Sequence, residues 1–377
     1  MLSRLSPAHY LDQDIFAREQ THVFRKLWLF AAFRTALAEP DAFATRELGG
    51  LPVLLQNCGG EIRAFENLCP HRQMPLQKDA FGQARMACPY HGWVFDPEGK
   101  VKTIPHEQRL YAYSPAERKD LCLKRYAVRE VGNLVFVNLD SEPLPFDEQF
   151  NPELQRALAD ITSHFGAQAV HADLPARYNW KLNYENVLDY NHVPYIHPKT
   201  FQPLLREGIS DTRQDVSPAS DPLASGGAHP STSSLAAQSF WTRSPIRIDS
   251  WPWHGAVRRY GDGDFYYNFF LYPNVNFISL GGLTFLLQQF HPLAPDSTEV
   301  RFTLCAAKET RRLPALPAIL WGHLKSEVAV LHEDLGHLEA LQSHLHAGAP
   351  RAKHGIYEAR LTAVADTYLR LMEGNAS

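Results

Sequence analysis

The sequence predicts an α+β protein in which an N-terminal antiparallel β domain is followed by a mixed α/β domain built on an antiparallel sheet with flanking helices. Three patterns lead there. Short apolar runs at 52–55, 62–65, 93–95 and 134–138 are separated by turn pairs such as Gly59-Gly60, Asp96-Pro97 and Gly132-Asn133, as in a small meandering sheet. The most apolar long stretch, 268–290, is interrupted by Pro273, Asn274, Asn276, Gln288 and Gln289, so it divides into further strands. From Leu320 the residues Leu324, Val328, Leu331, Leu335, Leu338, Leu341 and Leu345 advance by threes and fours, which draws one stripe along a long helix.

At 377 residues, 45% hydrophobic and 21% charged, the chain can bury two cores. Ile15, Phe16, Val23, Phe24, Leu27 and Trp28 recur at roughly helical intervals across 12–33 and predict a helical lead-in. The expected boundaries are that lead-in, 1–42, packing on the second domain; the β domain, 43–140; and the larger domain, 141–377. Pro143, Pro145 and Pro152 among acidic residues mark the connection. Residues 207–237, crowded with Ser, Ala, Gly, Pro and Thr, offer little to bury and read either as a lid or as a solvated insertion.

Two segments of the first domain carry its chemistry. Cys69-Pro70-His71 and Cys88-Pro89-Tyr90-His91 each offer one thiol and one imidazole, with sixteen residues between His71 and Cys88. Structural zinc sites usually group a Cys pair and then a His pair. The mixed pairing instead fits a Rieske [2Fe-2S] cluster, in which two thiolates hold one iron and two neutral imidazoles the other, raising the potential. Gly92 would let the backbone approach closely and Trp93 would wall the cluster from water.

A second constellation lies in 179–197, where Asp189, His192 and His197 stand out. Asp189 and His192, three apart, would share a helical face, whereas His197, five further on, would point elsewhere unless Pro194 bends the chain. Two imidazoles and a carboxylate on one face of a ferrous ion leave positions open for dioxygen. A distant carboxylate candidate is Asp334, set on the leucine-striped helix within one turn of Leu331 and Leu338, where an acid is costly unless paired, exposed or metal-bound. Alone, these histidines would more often be structural; a one-electron relay upstream gives them a purpose. His332 and His337 are five apart and do not form a zincin pair.

The net charge of −4 leaves no broad basic field for nucleic acid. Nothing is continuous and apolar enough to span a membrane, and residues 1–10 lack a signal-peptide core, so the expected location is cytoplasmic. Cys58, Cys122 and Cys305 form no CxxC pair and are expected to be reduced.

In these residues the chain is similar to the catalytic α subunits of Rieske non-haem iron oxygenases, the ring-hydroxylating family. The resemblance covers most of the length: the two cluster loops, the Asn179-Trp180-Lys181 and Glu185-Asn186 run, the H-x4-H pair, and Glu333-Asp334 followed by Glu339 and Gln342. It implies a Rieske 2Fe-2S cluster with Cys69 and Cys88 on one iron and His71 and His91 on the other, and a mononuclear Fe(II) held by His192, His197 and Asp334. It gives Asp189 a separate role as the bridge carrying electrons from one subunit's cluster to the next subunit's iron, within a homotrimer. NAD(P)H would serve indirectly, through a ferredoxin or flavin-dependent reductase, and no GxGxxG fingerprint occurs here. The 185–189 spacing is similar to the choline, glycine betaine and carnitine oxygenase branch, although Asp189 stands where carnitine-type members often carry Glu, and Asn191 where many relatives carry Tyr.

The expected reaction is insertion of oxygen from dioxygen into a small organic substrate, by hydroxylation or oxidative demethylation. The alternatives are cis-dihydroxylation of an arene and a Rieske electron carrier without oxygenase activity, and the distant triad speaks against the carrier. Trp241, Trp251, Trp253, Tyr267, Phe269, Phe277 and Phe285 supply aromatic surface from which a pocket for an arene, an alicyclic compound or a quaternary ammonium could draw.

Overall fold

The computed structural model describes residues 2–205, 233–355 and 358–374, together with the backbone of Ala224–Gly227. The insertion at 207–237 therefore lies largely outside the described residues. The chain divides into two compact units: Phe24–Leu144, and Met1–Val23 with Pro145–Ser377. The architecture is mixed α+β on antiparallel sheets, as the sequence predicts. No helix among the described residues is long and apolar enough to cross a membrane.

The Phe24–Leu144 unit is built on a seven-stranded sheet in the order Leu29–Phe33, Leu134–Asn138, Arg125–Val131, Glu61–Glu66, Leu51–Cys58, Ala42–Leu48, Phe81–Gln83. Every pairing is antiparallel. The lead-in is helical only in part. Ala8–Leu11 and Gln13–Glu19 are α-helices and Gln20–Phe24 a π turn, but Leu29–Phe33 is a strand. Its five consecutive apolar residues, four of them buried, suit a strand covered on both faces, a pattern that periodicity alone does not separate from a buried helix. Below the sheet, Phe43, Leu54, Phe65, Leu76, Met86, Trp93 and Phe95 form a core that also takes in Cys69 and Cys88.

The other unit carries a second antiparallel sheet, in the order Phe165–Ala176, Ser297–Ala307, Thr284–Ala294, Val275–Leu280, Phe265–Leu271, Phe240–Pro245, Ala224–Gly227. The leucine stripe forms the helix Leu316–His346. Leu324, Leu331, Leu335 and Leu338 are buried along it, but Leu341 is 53% exposed. The inward position of that turn belongs to Gln342, whose side chain accepts from the Asn179 backbone N–H at 3.0 Å and donates to the Tyr10 carbonyl at 3.1 Å.

The helix Trp180–Leu188 starts at Asn179, whose side chain caps the Lys181 N–H, and it is fixed by buried charge. Lys181 and Glu19 are both fully buried and pair at 2.5 Å. The same Glu19 carboxylate accepts from Trp180 Nε1 at 2.8 Å and Tyr368 OH at 2.6 Å. One helical turn beyond Lys181, Glu185 accepts from Tyr10 OH at 2.6 Å. Burial pushes the Glu185 carboxyl up to about 7, although the Tyr10 hydrogen bond and the Lys181 charge oppose the shift. Removing one member of such a pair strands the other without solvent. Lys181→Met is therefore expected to cost about 3–5 kcal/mol in urea unfolding, and Glu19→Gln/Lys181→Met to recover part of it; a single variant within 0.5 kcal/mol of wild type, about the scatter of surface changes, would show that the pair is not structural.

Candidate active site

Both sulfur-bearing segments are loops held by backbone hydrogen bonds. Cys69 N–H donates to the Met74 carbonyl and Cys88 N–H to the Trp93 carbonyl, at 2.9 and 2.8 Å, while Gly92 closes the second loop with a left-handed φ of 70°. The two thiols are buried and form no disulfide. Burial pushes the Cys69 thiol up to about 11, so a bound cation is needed to keep it ionised at neutral pH. Burial, with His91 beside it, lowers the pKa of His71 and keeps its imidazole neutral, as a metal ligand needs to be. The two imidazoles lie 4.6 Å apart between ring centroids, and the Nδ1 atom of each is buried without a hydrogen-bond partner. Such orphaned acceptors are what an iron-sulfur cluster would satisfy. Trp93, fully buried, stacks on His71 at 4.8 Å with the planes 6° apart.

In the other unit, ligating atoms of His192, His197 and Asp334 all lie within 4.8 Å of one another. His197 Nε2 is 3.1 Å and His192 Nε2 3.7 Å from Asp334 Oδ1. That oxygen is buried and has no aligned hydrogen bond despite its neighbours, as expected where the donors face a shared cation instead of each other. The local chain path differs from the expected one. The helix stops at Leu188, Asp189 is extended (φ −99°, ψ 112°), and Pro194 sits in the first turn of a new helix, Val193–Ile196. The break thus precedes the proline, which starts the second helix where its missing N–H costs nothing, and Asp189 and His192 share no helical face. Asp189 Oδ2 still lies 3.8 Å from His192 Nδ1, held by the Asn191 N–H on its other oxygen at 2.7 Å.

Glu333 is a site residue to which the sequence reading assigns no role. It bonds His197 Nδ1 at 2.7 Å and accepts from Thr200 Oγ1 at 2.6 Å. Consecutive helical residues point about 100° apart, so Glu333 and Asp334 take the two nitrogens of one imidazole. Burial opposes protonation of His197, but the two carboxylates outweigh it and raise its pKa. A metal would have to displace that proton, with Glu333 fixing the tautomer that presents Nε2.

The triad opens onto a cavity of about 130 Å³, also lined by Asn186, Tyr190, Phe201, Tyr266, Asn268 and Glu327 among others. None of the seven aromatic residues singled out from the sequence lines it. Side chains alternate along a strand: Tyr266, Asn268, Asn276 and Ile278 face the cavity, whereas Tyr267, Phe269 and Phe277 are buried away from it. Glu333→Gln is expected to weaken retention of a divalent metal ion about 10–100-fold, measured by competition with a chelator; undiminished retention would show that Glu333 does not orient His197.

Comparison with known proteins agrees with both halves. The Rieske [2Fe-2S] domain family matches residues 27–115, and the ring hydroxylating alpha subunit (catalytic domain) family matches residues 163–374. Similar curated proteins include the glycine betaine monooxygenase oxygenase subunit of Pseudomonas aeruginosa, 28% identical over 54% of this chain and 47% of that one. Spinacia oleracea chloroplastic choline monooxygenase is 29% identical over 50% and 44%. The chain spans about half the length of these relatives. Among solved structures, a quaternary ammonium Rieske monooxygenase superposes with a TM-score of 0.75 at 18% identity, covering 99% of this chain and 95% of that one. Naphthalene 1,2-dioxygenase from Rhodococcus sp. does so at 0.71 and 16%, covering 98% and 94%. The chain therefore belongs to the ring-hydroxylating α subunits, the oxidoreductases whose cofactors are a Rieske [2Fe-2S] cluster and a mononuclear iron.

Proposed function

We propose that this protein is a terminal oxygenase component that hydroxylates or oxidatively demethylates a small organic substrate, with Cys69, His71, Cys88 and His91 holding the cluster and His192, His197 and Asp334 the iron. The observation that carries the reading is the convergence of the three donors in the wall of one cavity. When bound, the cluster supplies single electrons and the ferrous iron supplies reductive activation of dioxygen. This chain's residues do the rest. Asp334 and the two imidazoles occupy one side of the site and leave the cavity side open. Glu333 holds His197 in the ligating tautomer. Phe201, Leu204, Ile278 and Leu280 shed water from the reacting centre. The volume is close to that of the ~150 Å³ cavity that admits benzene, so a compact substrate fits.

Asp189, one-third exposed and beside His192, serves in this reading as the bridge to the cluster of a neighbouring subunit in a homotrimer. Electrons enter from NAD(P)H through a separate ferredoxin or flavin-dependent reductase. The names of the curated relatives, monooxygenases of glycine betaine and choline, support single-oxygen chemistry over cis-dihydroxylation. A substrate screen with a surrogate reductase, scored by product mass, tests this: one added oxygen or a lost methyl is expected, and two oxygens with two hydrogens would favour the dihydroxylating alternative.

His192→Ala is expected to lose mononuclear iron and oxygenation while keeping the cluster's absorption and EPR signal; loss of both centres would contradict independent sites. Asp189→Asn should keep both metals yet fall in steady-state rate by at least about 100-fold, roughly 2.7 kcal/mol of barrier. Wild-type turnover in that variant would remove the bridging role.

A further inference from the structure

One group in the cavity has no part in holding metal. Glu327 lies on the helix of Asp334, seven residues nearer its N-terminus, and lines the same cavity. Seven residues are two turns, or about 10 Å along the axis, so both carboxylates project from one face of the helix, two turns apart. Val330 and Leu331 follow Glu327 at three and four residues and line the wall with it, and Tyr266 is near enough to feel its charge. Among the described residues no donor or cation reaches Glu327. Burial alone, unrelieved by any hydrogen bond or opposite charge, pushes its carboxyl up to about 7. Lys325, the nearest basic residue on the helix, has its ammonium 5.8 Å from the Trp321 ring.

A carboxyl in such a wall costs stability that no partner among the described residues repays. An ionised carboxylate only accepts hydrogen bonds. Its natural complement is a cation that donates, because a charge-assisted N–H···O bond is about twice as strong as a neutral one. A quaternary nitrogen brings charge but no N–H, and leaves the carboxylate's lone pairs unmet. An alkylamine, with a pKa near that of lysine at about 10.4, would carry the proton when it meets Glu327.

We propose that Glu327 is the specificity-determining residue of the cavity, and that the substrate is a small protonated amine whose N–H donates to the Glu327 carboxylate. This rests on the reading of the cavity as the substrate site, and it departs from the quaternary nitrogen of the relatives named above. The amine would lie at the Glu327 end, with the carbon to be oxidised toward His192, His197 and Asp334.

Three probes of nearly equal shape separate the possibilities: N,N-dimethylethanolamine, which carries N–H⁺; choline, its quaternary homologue; and 3-methylbutan-1-ol, its neutral isostere. Calorimetric titration of the iron-loaded protein at pH 7.5 is expected to show the amine binding at least about tenfold tighter than either, the increment of one charge-assisted hydrogen bond. Glu327→Gln should erase the preference for amine over alcohol while alcohol affinity stays within about twofold, and Glu327→Asp should keep part of it. Iron content and cluster absorption check that the variants are intact. Equal or tighter binding of choline or the alcohol by wild type, no binding of the amine, or an unchanged preference in intact Glu327→Gln would each overturn the proposal. Binding is read without turnover. An amine preference in a protein that oxidises nothing would sink the oxygenase reading alone, and oxygenation without that preference would sink this inference alone.

Discussion

A carboxylate and an ammonium that never meet water hold the helix leading to the metal triad. Glu19 comes from the first helices of the chain, Lys181 from the helix Trp180–Leu188, and Tyr368 from the C-terminal helix Ala359–Met372. Three segments far apart in sequence thus meet at one carboxylate. An apolar contact there could slide by a rotamer; a desolvated ion pair with two further donors cannot shift without leaving a charge unmet. The helix is thereby fixed at its first turn, about two turns before the chain turns extended at Asp189, which sets where His192 and His197 can emerge.

The long helix is the other fixed member. Its leucines dock it against the core, and that docking sets the facing of Glu327 and Asp334. Gln342 ties the same helix to the Asn179 cap and to Tyr10. The candidate triad thus joins one residue of a long docked helix, Asp334, to His192 and His197, which flank the four-residue helix Val193–Ile196, so its convergence depends on the chain that leaves Leu188 being held as firmly as the helix it faces.

How much of this was legible in the sequence depends on the range of the interaction. Cys69, His71, Cys88 and His91 stand out because ligand spacing within a loop is local chemistry. The long helix stands out because its period is local too. Asp334 was reachable as an acid at a buried helical position, and the structure brings it to His192 and His197. Leu341 lies outside the buried stripe because an apolar count cannot see that Gln342, with two backbone partners, claims the inward position. Proline is the visible breaker, so the sequence points to Pro194, whereas the chain leaves the helix at Asp189, whose carboxylate is bonded two residues ahead. The cavity wall is not legible for want of strand phase: one residue of offset exchanges Tyr267 and Phe269 for Tyr266 and Asn268. Glu333 and Glu19 carry no local signature, since their partners are 136 and 162 residues away.

The path of the chain between its two units has a further consequence. The first 23 residues belong with everything after Leu144, so the unit holding the cysteine loops is, topologically, an insertion in the other. Its ends are clasped. Leu29–Phe33 pairs antiparallel with Leu134–Asn138, Trp28 Nε1 donates to the Leu144 carbonyl at 2.9 Å, and Lys26 pairs with Asp140 at 2.5 Å. Entry and exit therefore leave the sheet side by side. A module with adjacent termini can be inserted or exchanged with little disturbance to its host, so the unit with the cysteine loops is a part that could be replaced without redrawing the unit that brings His192, His197 and Asp334 together.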